Sequence, residues 1–395
     1  MATKKPIFLA FLDGSQGGGL KVLLVFLQIF SFKRDNNLEV AKIFTNAVDS
    51  LTIKTFKEAM LKRILIVAIA TLLMVPGLLS SAQGGATLSA VQDRGVLNCG
   101  VNGQLPGFSG LESDGSFSGF DVDYCHALAA AVLGDGDAVE FFPLTAPQRF
   151  DVLASGEIDV LIRNTTYTVS RDTDLGNNFA PTTFYDGQGF MVRVDSGIGS
   201  VADLDGASVC VGTGTTTELN LADTFAARGI NFDPVVFETT DETFSAYDAG
   251  RCDAVTTDAS GLAARRLVLS NPSDHTILAE LISKEPLGPV VRHGDDNWYD
   301  IVKWTVYATF FAEEAGITSG NVDGFDRSDP EVDRFLGEIS TKFGLEAGAF
   351  AAAIAAVGNY GEIYERNVVP LGIAREGGLN ATFENGGLLY SPPFR

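Results

Sequence analysis

Short apolar segments alternate with segments of helical periodicity through much of this chain. Apolar, β-branched runs of strand length occur at residues 96–101, 138–142 and 158–162, and helical patterns separate them. One helix is predicted over residues 120–133, with Gly134 as its C-cap. The order strand, helix, strand, helix, strand is typical of α/β proteins, in which helices cover a mainly parallel sheet.

The same order begins again after residue 200, which suggests a second unit. Residues 150–160 and 244–254 both have the pattern helix, glycine, two residues, aspartate and strand, and a polar cluster follows each. These echoes favour two similar lobes whose strand ends face a shared cleft, although helix–glycine–strand segments also occur in α/β proteins in general. Further helices are predicted at residues 298–315, 332–343 and 347–357, and the Gly-rich tail, 358–395, is expected to wrap the first lobe.

The strand at residues 158–162 ends abruptly in polar side chains. The next six residues, RNTTYT, can all form hydrogen bonds, and Arg171 follows shortly after them. Open α/β sheets bind ligands just beyond the carboxyl ends of their strands. A guanidinium suits a carboxylate, through charge-assisted bonds that contribute ~1.5–3 kcal/mol each. The pattern predicts a site for a small anion; the alternative is a polar loop with a surface arginine.

Two further strand ends carry groups of matching chemistry. Residues 212–218, GTGTTTE, place backbone N–H groups and hydroxyls at the start of a helix, where an anion is favoured. The loop lacks the Gly-Lys-Ser/Thr of a P-loop, so a carboxylate fits better than a phosphate. Asp258 could receive an ammonium group. Together with Arg171 these groups predict a receptor for a zwitterion, although Thr217 or a neighbour could simply cap the helix and Asp258 could be a surface residue.

Charge and motif content exclude several classes of function. Residues 64–395 carry 18 Lys/Arg and 45 Asp/Glu, so this part of the chain repels nucleic acid and anionic membranes. The three histidines have no metal-ligand spacing, and no Gly-x-Ser-x-Gly motif occurs. We therefore expect no metal, no cofactor and no catalytic residues.

The four cysteines have no C-x-x-C spacing, which argues against zinc and thioredoxin-like chemistry. An even count in an exported chain favours disulfides. We predict the pairs Cys99–Cys125 and Cys210–Cys252, one in each lobe; the alternative is four buried free thiols.

Residues 60–82 have the features of a secretory signal peptide. Lys62 and Arg63 precede an uncharged apolar run, and Ser80 and Ala82 are small residues suited to cleavage after Ala82. A permanent membrane anchor is the alternative, but the run is short for the ~20 residues that a span needs. Because such a signal belongs at the start of a chain, we expect translation to begin at Met60 and residues 1–59 to be an upstream extension.

The mature chain resembles a known family. From about residue 95 onward it is similar to the periplasmic binding proteins of polar amino-acid ABC importers, and most of all to the general L-amino-acid-binding subgroup. The residues that carry the resemblance are 99–101 (CGV), 119–123 (GFDVD), 163–166 (RNTT), 170–172 (SRD), 185–190 (YDGQGF), 214–220 (GTTTELN), 257–258 (TD), 283–289 (SKEPLGP) and 358–367 (GNYGEIYERN).

The resemblance implies a type II two-lobe fold that closes around its ligand, with crossovers near residues 192–197 and 284–291. The implied lobes are residues 83–192, then 193–287 for lobe 2, then 288–395 for the rest of lobe 1. The implied site comprises Arg171, Thr215 and Thr216 for the ligand carboxylate, Asp258, Asn164 and Thr166 for its ammonium group, and Asn102, Leu105 and Phe108 for the pocket wall.

The resemblance also implies partners and a location. L-Amino acids of broad range would be captured in the periplasm by a monomer and delivered to an inner-membrane permease with its ATPase. The rival hypothesis is a periplasmic enzyme on the same fold acting on a small carboxylate, with Asp258 or Glu218 as general acid or base. A receptor sensor domain is a third, which the predicted signal peptide and the lack of a later span disfavour.

Overall fold

Two five-stranded sheets organise residues 85–395, the part of the chain that this computed structural model describes. In spatial order, the first sheet consists of β5 (Val139–Pro143), β1 (Leu97–Val101), β6 (Val160–Leu161), β15 (Val290–Arg292) and β7 (Asn177–Phe179). The second consists of β11 (Phe232–Phe237), β10 (Ala207–Gly212), β12 (Ala254–Asp258), β9 (Gln188–Arg193) and β13 (His275–Ile277). We call the regions around these sheets lobe 1 and lobe 2.

Both sheets are mixed, whereas the sequence analysis predicted mainly parallel ones. In lobe 1, β1 pairs in parallel with β5 and β6, and β15 pairs antiparallel with β6 and β7. In lobe 2, β10 pairs in parallel with β11 and β12, and β9 pairs antiparallel with β12 and β13. The antiparallel strands β9 and β15 are the first strands that the chain forms after it passes from one sheet to the other.

The passage between the lobes is marked by a separate two-stranded sheet. It pairs β8 (Phe184–Asp186) with β14 (Glu285–Leu287) in antiparallel register. The sequence analysis placed the first passage near residues 192–197. In the structure it comes earlier, because Phe190 and Val192 of β9 are already buried in the core of lobe 2. A three-stranded sheet of β2 (Gln104–Leu105), β3 (Ser109–Leu111) and β4 (Phe117–Ser118) completes the strands.

Helices cover both sheets, and most of their ends follow from local sequence. In the long helix that follows β4, acidic residues occupy the first turn and Gly134 ends the helix in the left-handed conformation (φ 72°). The described α-helices are α1 (Ala86–Arg94), α2 (Phe120–Leu133), α3 (Arg149–Ser155), α4 (Val169–Thr173), α5 (Thr216–Arg228), α6 (Thr240–Asp248), α7 (Ala259–Arg266), α8 (Asp296–Glu314), α9 (Pro330–Phe335), α10 (Ala349–Val357) and α11 (Tyr360–Asn367).

The C-terminal region differs from its prediction in two places. The helix predicted over residues 332–343 is divided at Gly337 into α9 and a 3₁₀ segment, Glu338–Phe343. The tail contains the unpredicted helix α11, which starts with a capping box between Asn359 and Glu362. At the far end of the tail, Phe394 is buried among aromatic rings of α8, α9 and α10.

Both predicted cysteine pairs are disulfide-bonded, one in each lobe. Cys99 of β1 is bonded to Cys125 of α2, and Cys210 of β10 is bonded to Cys252 just before β12. Each bond therefore ties a central strand to a neighbouring element. Within residues 85–395, none of the helices is long and apolar enough to cross a membrane.

Removing the lobe 2 disulfide should destabilise the protein measurably. The two cysteines are 42 residues apart, and the chain-entropy model gives ~4 kcal/mol for closing a loop of that length. We expect the double variant Cys210→Ala, Cys252→Ala to lose up to this amount of unfolding free energy in urea titrations. A variant with the same unfolding free energy as the wild type would contradict the chain-entropy account of this bond.

Candidate functional site

The candidate site is a cavity of about 60 Å³ between the strand ends of the two lobes. Lobe 1 contributes the polar residues that follow β6, and lobe 2 contributes the end of β12 and the loop between β10 and α5. Six of the nine predicted site residues line this cavity: Asn102, Asn164, Thr166, Thr215, Thr216 and Asp258. Arg171, Leu105 and Phe108 do not.

Asp258, the last residue of β12, is the acceptor that lobe 2 contributes. It is only 5% exposed, and its Oδ2 accepts a hydrogen bond from Nδ2 of Asn164 at 3.3 Å. The Oδ1 of Asn164 accepts in turn from Nδ2 of Asn102 at 3.1 Å. Burial raises the pKa of Asp258 well above its usual value, and the nearby carboxylates of Asp186 and Glu285 raise it further. A cation placed beside Asp258 would stabilise its charged form.

The start of α5 supplies hydrogen-bond donors opposite Asp258. Thr215 is the N-cap: its Oγ1 accepts from the backbone N–H of Glu218 at 3.0 Å and donates to the carbonyl of Gly212 at 2.7 Å. The helix therefore begins at Thr216, inside the loop predicted for residues 212–218. The first N–H groups of a helix have no carbonyl one turn earlier to bond. That of Glu218 is taken by Thr215, so those of Thr216 and Thr217 remain for an anion.

Glu285 of β14 is a site residue that the sequence analysis did not single out. It is 1% exposed, and its carboxylate accepts from Oγ1 of Thr166 at 2.6 Å and from Oγ1 of Thr216 at 2.8 Å. Nδ2 of Asn220 and Oγ of Ser283 also donate to it, at 2.7 and 2.5 Å. The hydroxyls of Thr166 and Thr216 are thus engaged by Glu285, so a ligand would meet these two residues through their backbone groups.

Arg171 is buried next to the cavity. It is 7% exposed, its Nη1 donates to the carbonyl of Thr166 at 2.8 Å, and its guanidinium lies 5.3 Å from the ring centroid of Phe150. Burial lowers its pKa to about 10, against the opposing effects of Glu285 and Asp258. The bond to Thr166 engages one of its two terminal nitrogens.

Two other arginines, Arg149 and Arg163, line the cavity itself. Arg149 is 2% exposed, and within residues 85–395 its side chain donates no hydrogen bond and forms no ion pair; the structure leaves its Nε buried without a partner. Arg163 is 6% exposed and donates only through Nε, to the carbonyl of Leu144 at 3.0 Å. Burial lowers the pKa of both side chains, to about 10 for Arg163.

Only one of these two arginines lies in a sequence pattern that points to the site. Arg163 belongs to the polar run that follows a predicted strand, so its place near the site could have been inferred. Arg149 starts α3, and no strand-end pattern includes it. Two buried guanidiniums that form no ion pair with a carboxylate of residues 85–395 make the cavity suited to an anionic group.

The predicted wall residues Leu105 and Phe108 lie in the apolar core of lobe 1. Leu105 is 3% exposed, and the ring of Phe108 packs against Phe120 and Phe184, with centroids 5.8 and 5.2 Å apart. Of the predicted wall, only Asn102 reaches the cavity. Within residues 85–395, no group of three or more His, Cys, Asp or Glu side chains could hold a metal ion.

Comparison with known proteins identifies related chains. Residues 97–310 match the model of the bacterial extracellular solute-binding proteins, family 3. The chain is 54% identical to the general L-amino acid-binding periplasmic protein AapJ of Rhizobium johnstonii, over 80% of this chain and 95% of that protein. It is 51% identical to the glutamate/glutamine/aspartate/asparagine-binding protein BztA of Rhodobacter capsulatus, over 80% of this chain and 96% of that protein.

A solved structure shares the fold. The ABC transporter periplasmic binding protein from Brucella ovis, solved with glutathione bound, superposes with a TM-score of 0.76 at 53% identity. The match covers 78% of this chain and 99% of that one.

The buried carboxyl of Asp121 should make stability depend on pH. Its Oδ2 accepts from the backbone N–H of Asn164 at 3.0 Å, and burial raises its pKa to about 7. A carboxyl whose folded pKa exceeds its unfolded value, ~3.9, stabilises the fold when protonated, so the unfolding free energy should fall as pH rises from about 4 through 7. We expect Asp121→Asn, which keeps an acceptor, to have a shallower fall in denaturant titrations at several pH values.

A matched control for this prediction is Asp137→Asn. The side chain of Asp137 is 98% exposed and lies outside the site. This variant should keep the wild-type pH dependence. If Asp121→Asn keeps it as well, the ionisation of Asp121 is not its source.

Proposed function

The chain belongs to family 3 of the bacterial extracellular solute-binding proteins, and on this premise we propose that it captures L-amino acids in the periplasm for an ABC importer. The observation that carries the proposal is the pairing of one buried carboxylate, Asp258, with buried cations and helix-start N–H groups around one cavity. An α-amino acid carries the complementary ammonium and carboxylate. The relatives AapJ and BztA are both named as amino-acid-binding proteins, which supports the same ligand class.

We assign the two charged ends of the ligand to two different sets of residues. Asp258 would hold the ammonium group, together with Asn164 and the backbone at Thr166. Arg171 and the N–H groups at Thr215 and Thr216 would hold the α-carboxylate. Asn102 would line the pocket, with Leu105 and Phe108 supporting this wall from the core.

Arg149 and Arg163 remain for the ligand side chain. Their guanidiniums are buried without an ion-pair partner within residues 85–395, so a side-chain carboxylate would find charge-assisted donors there. Acidic amino acids should therefore be among the best ligands. BztA is named for glutamate and aspartate together with their amides, glutamine and asparagine, so the acidic amino acids are among the ligands in the name of that relative.

Capture would proceed by closure of the lobes over the ligand. Across the cleft, Asn164 bonds Asp258, and the backbone N–H of Asp241 donates to Oε1 of Gln104 at 3.1 Å. Closure removes water, which strengthens each charged contact with the ligand. An inner-membrane permease with its ATPase would then receive the amino acid from a monomer of this protein.

The remaining assignments concern export and lobe limits. We propose that residues 60–82 direct export and are removed after Ala82, and that residues 1–59 are an upstream extension; both segments lie outside the described residues. We propose lobe limits at β8 and β14 in place of residues 192 and 287. The enzyme hypothesis has no support among the relatives, which are named as binding proteins.

Asp258→Asn should separate amino acids from their des-amino analogues. Wild-type protein, unfolded and refolded to strip carried-over ligand, should be stabilised by many L-amino acids and not by the analogues in a thermal-shift panel. A ligand at ~100 times its Kd adds about 2.7 kcal/mol, a shift of several degrees. The variant should lose most of this shift because its amide cannot form the ion pair. Stabilisation by non-amino carboxylates alone would reject the proposed function.

Substitutions of Arg171 and Arg149 should affect different sets of ligands. Arg171→Met should weaken all L-amino acids at least tenfold, because it removes the donor to the shared α-carboxylate. Arg149→Gln should weaken glutamate at least tenfold and glutamine much less, as measured by calorimetric titration. The control is Arg228→Gln, since Arg228 is exposed and paired with Glu280 away from the cavity. Equal losses for glutamate and glutamine in Arg149→Gln would contradict the side-chain role.

A further inference from the structure

The two-stranded sheet of β8 and β14 marks both passages of the chain between the lobes. Movement of one lobe against the other must therefore bend the backbone in these strands or next to them. A pair of strands without further neighbours is marginally stable, and each strand leaves backbone groups unpaired along its outer edge. How far the pair itself bends depends on what holds those two outer edges.

The outer edge of β8 is held by a side chain of the C-terminal tail. Tyr185, the middle residue of β8, donates its backbone N–H to Oδ1 of Asn380 at 2.7 Å, and its carbonyl accepts from Nδ2 of Asn380 at 3.1 Å. One side-chain amide thus forms the two bonds that a residue of a third strand would form. Asn380 is only 7% exposed, so little water competes for these bonds.

The outer edge of β14 is held by lobe 1. Pro286, the residue opposite Tyr185, has no N–H, and its carbonyl accepts from the backbone N–H of Tyr167 at 2.8 Å. The backbone N–H of Gly288, just after β14, donates to the carbonyl of Thr165 at 3.2 Å. Thr165 and Tyr167 both belong to the polar segment that follows β6, so this edge is attached to lobe 1.

Asn380 is in turn fixed to lobe 1 through Arg375. The Nε of Arg375 donates to the carbonyl of Asn380 at 2.8 Å. Its Nη1 and Nη2 donate to the two carboxylate oxygens of Glu313 in α8, at 2.5 and 2.8 Å. Such a bidentate pair fixes the direction of the side chain as well as its distance. A continuous path therefore leads from α8 through Arg375 and Asn380 to the hinge strand β8.

The tail helix α11 supports β8 at a second point. The Oη of Tyr360 donates to the carbonyl of Thr183, just before β8, at 2.9 Å. The ring of Tyr364 stacks on that of Phe184, the first residue of β8, with centroids 6.1 Å apart. The tail thus contacts the start and the middle of this strand.

These contacts attach the strand pair β8–β14 to lobe 1. Bending is then left to the short stretches between the pair and lobe 2, at residues 187 and 283–284. Releasing the backbone of β8 would add conformational entropy to the open forms of the protein. An open form that is reached more often lets a bound ligand leave sooner.

We propose that Asn380 is a positioning residue for ligand capture: it braces the hinge strand β8 and thereby slows the release of the bound amino acid. Asn380 lies in the C-terminal region, beyond residues 97–310 that match the family model. The effect on release rests on the proposed function, whereas the bracing of β8 does not and can be tested on the ligand-free protein.

Hydrogen exchange of the ligand-free protein tests the brace. Asn380→Ala should speed the exchange of backbone amides in peptides that span residues 283–288, because β14 loses a firmly held partner strand. Amides of β1, in the body of lobe 1, should keep their wild-type rates. Unchanged exchange at residues 283–288 would overturn the brace. Faster exchange in β1 as well would indicate a general loss of stability and would also overturn it.

The matched control is Asn385→Ala, the same substitution in the same tail. Asn385 is exposed, and its Nδ2 donates to Oγ1 of Thr382 at 2.9 Å instead of to a hinge strand. This variant should keep the wild-type exchange in both regions and the wild-type rate of ligand release.

Release is measured with radiolabelled L-glutamate, bound to the stripped protein and chased with unlabelled L-glutamate in a rapid-filtration assay. Asn380→Ala should raise the dissociation rate constant about tenfold, the order expected for the loss of two hydrogen bonds between neutral groups. The association rate constant should change much less. Wild-type dissociation together with faster exchange at residues 283–288 would overturn the role of the brace in capture.

Glu313→Ala tests the brace from its other end and decides the question if Asn380→Ala does not fold. The side chain of Glu313 is 21% exposed and lies on a helix, where alanine is well tolerated. Without the ion pair, Arg375 holds Asn380 less firmly, so exchange at residues 283–288 and dissociation of L-glutamate should both be faster than in the wild type. Wild-type values for both would overturn the brace.

The two measurements separate this proposal from the proposed function. If the wild type binds neither L-glutamate nor any other L-amino acid, the proposed function fails, and hydrogen exchange alone decides whether Asn380 braces β8. If L-glutamate binds and the hinge exchanges at the wild-type rate in Asn380→Ala, the brace fails and amino-acid capture stands.

Discussion

The buried carboxylate of Glu285 joins the two lobes, because it accepts hydrogen bonds from residues of both. Glu285 lies in the strand pair β8–β14, and its oxygens accept from Thr166 of lobe 1 and from Thr216 and Asn220 of lobe 2. Desolvating a carboxylate costs several kcal/mol, and only a full set of donors offsets that cost. The bonds are available together only when the lobes meet, so this residue favours the arrangement in which the cavity exists. Loss of any one donor would leave the charge partly uncompensated.

The same desolvation governs the electrostatics of the site. Asp258 and Glu285 are buried, and Asp186 is half-buried beside them. Desolvation raises the pKa of Asp186 to about 6 and that of Asp258 well above its usual value. Arg149 and Arg163 are buried as well, and their pKa values are lowered for the same reason. An ammonium group beside Asp258 and a carboxylate beside the arginines would each return a missing counter-charge. An acidic α-amino acid would supply both counter-charges at once, with its ammonium group beside Asp258 and its side-chain carboxylate beside Arg149 and Arg163, which a simple anion or cation cannot do.

The sequence predicted the features that depend on local pattern. Helix α2 has the predicted ends because Gly134 supplies the left-handed C-cap, and the polar residues after β6 and β12 meet at the cleft because strand ends do so in α/β folds. Glu285 and Arg149 could not be found this way, since they approach the cavity only through packing between lobes and through the placement of α3. Leu105 and Phe108 show the opposite case, in which sequence reasoning assigned residues to the pocket wall that do not line it. An apolar side chain in a loop looks the same in sequence whether it lines a pocket or fills a core, and here both are in the core.

The unequal sizes of the site and of a neighbouring space would give a physical basis for the breadth of ligands proposed above. The charges that would recognise the ammonium and α-carboxylate groups are buried and held by hydrogen bonds, so they demand one geometry of the ligand's common part. A neighbouring space of about 480 Å³ is larger and mixed in polarity, because Arg163 and Arg265 line it together with the carboxylates of Glu238 and Asp241. Affinity would then depend on the ammonium and α-carboxylate groups that all α-amino acids share, and side chains of different size would fit in the neighbouring space. The site would bind many amino acids and still select for α-amino acids. Such a site rejects ligands that leave one of its buried charges unpaired. The free-energy cost of an unpaired buried charge exceeds the change in binding free energy from adding or removing one methylene group.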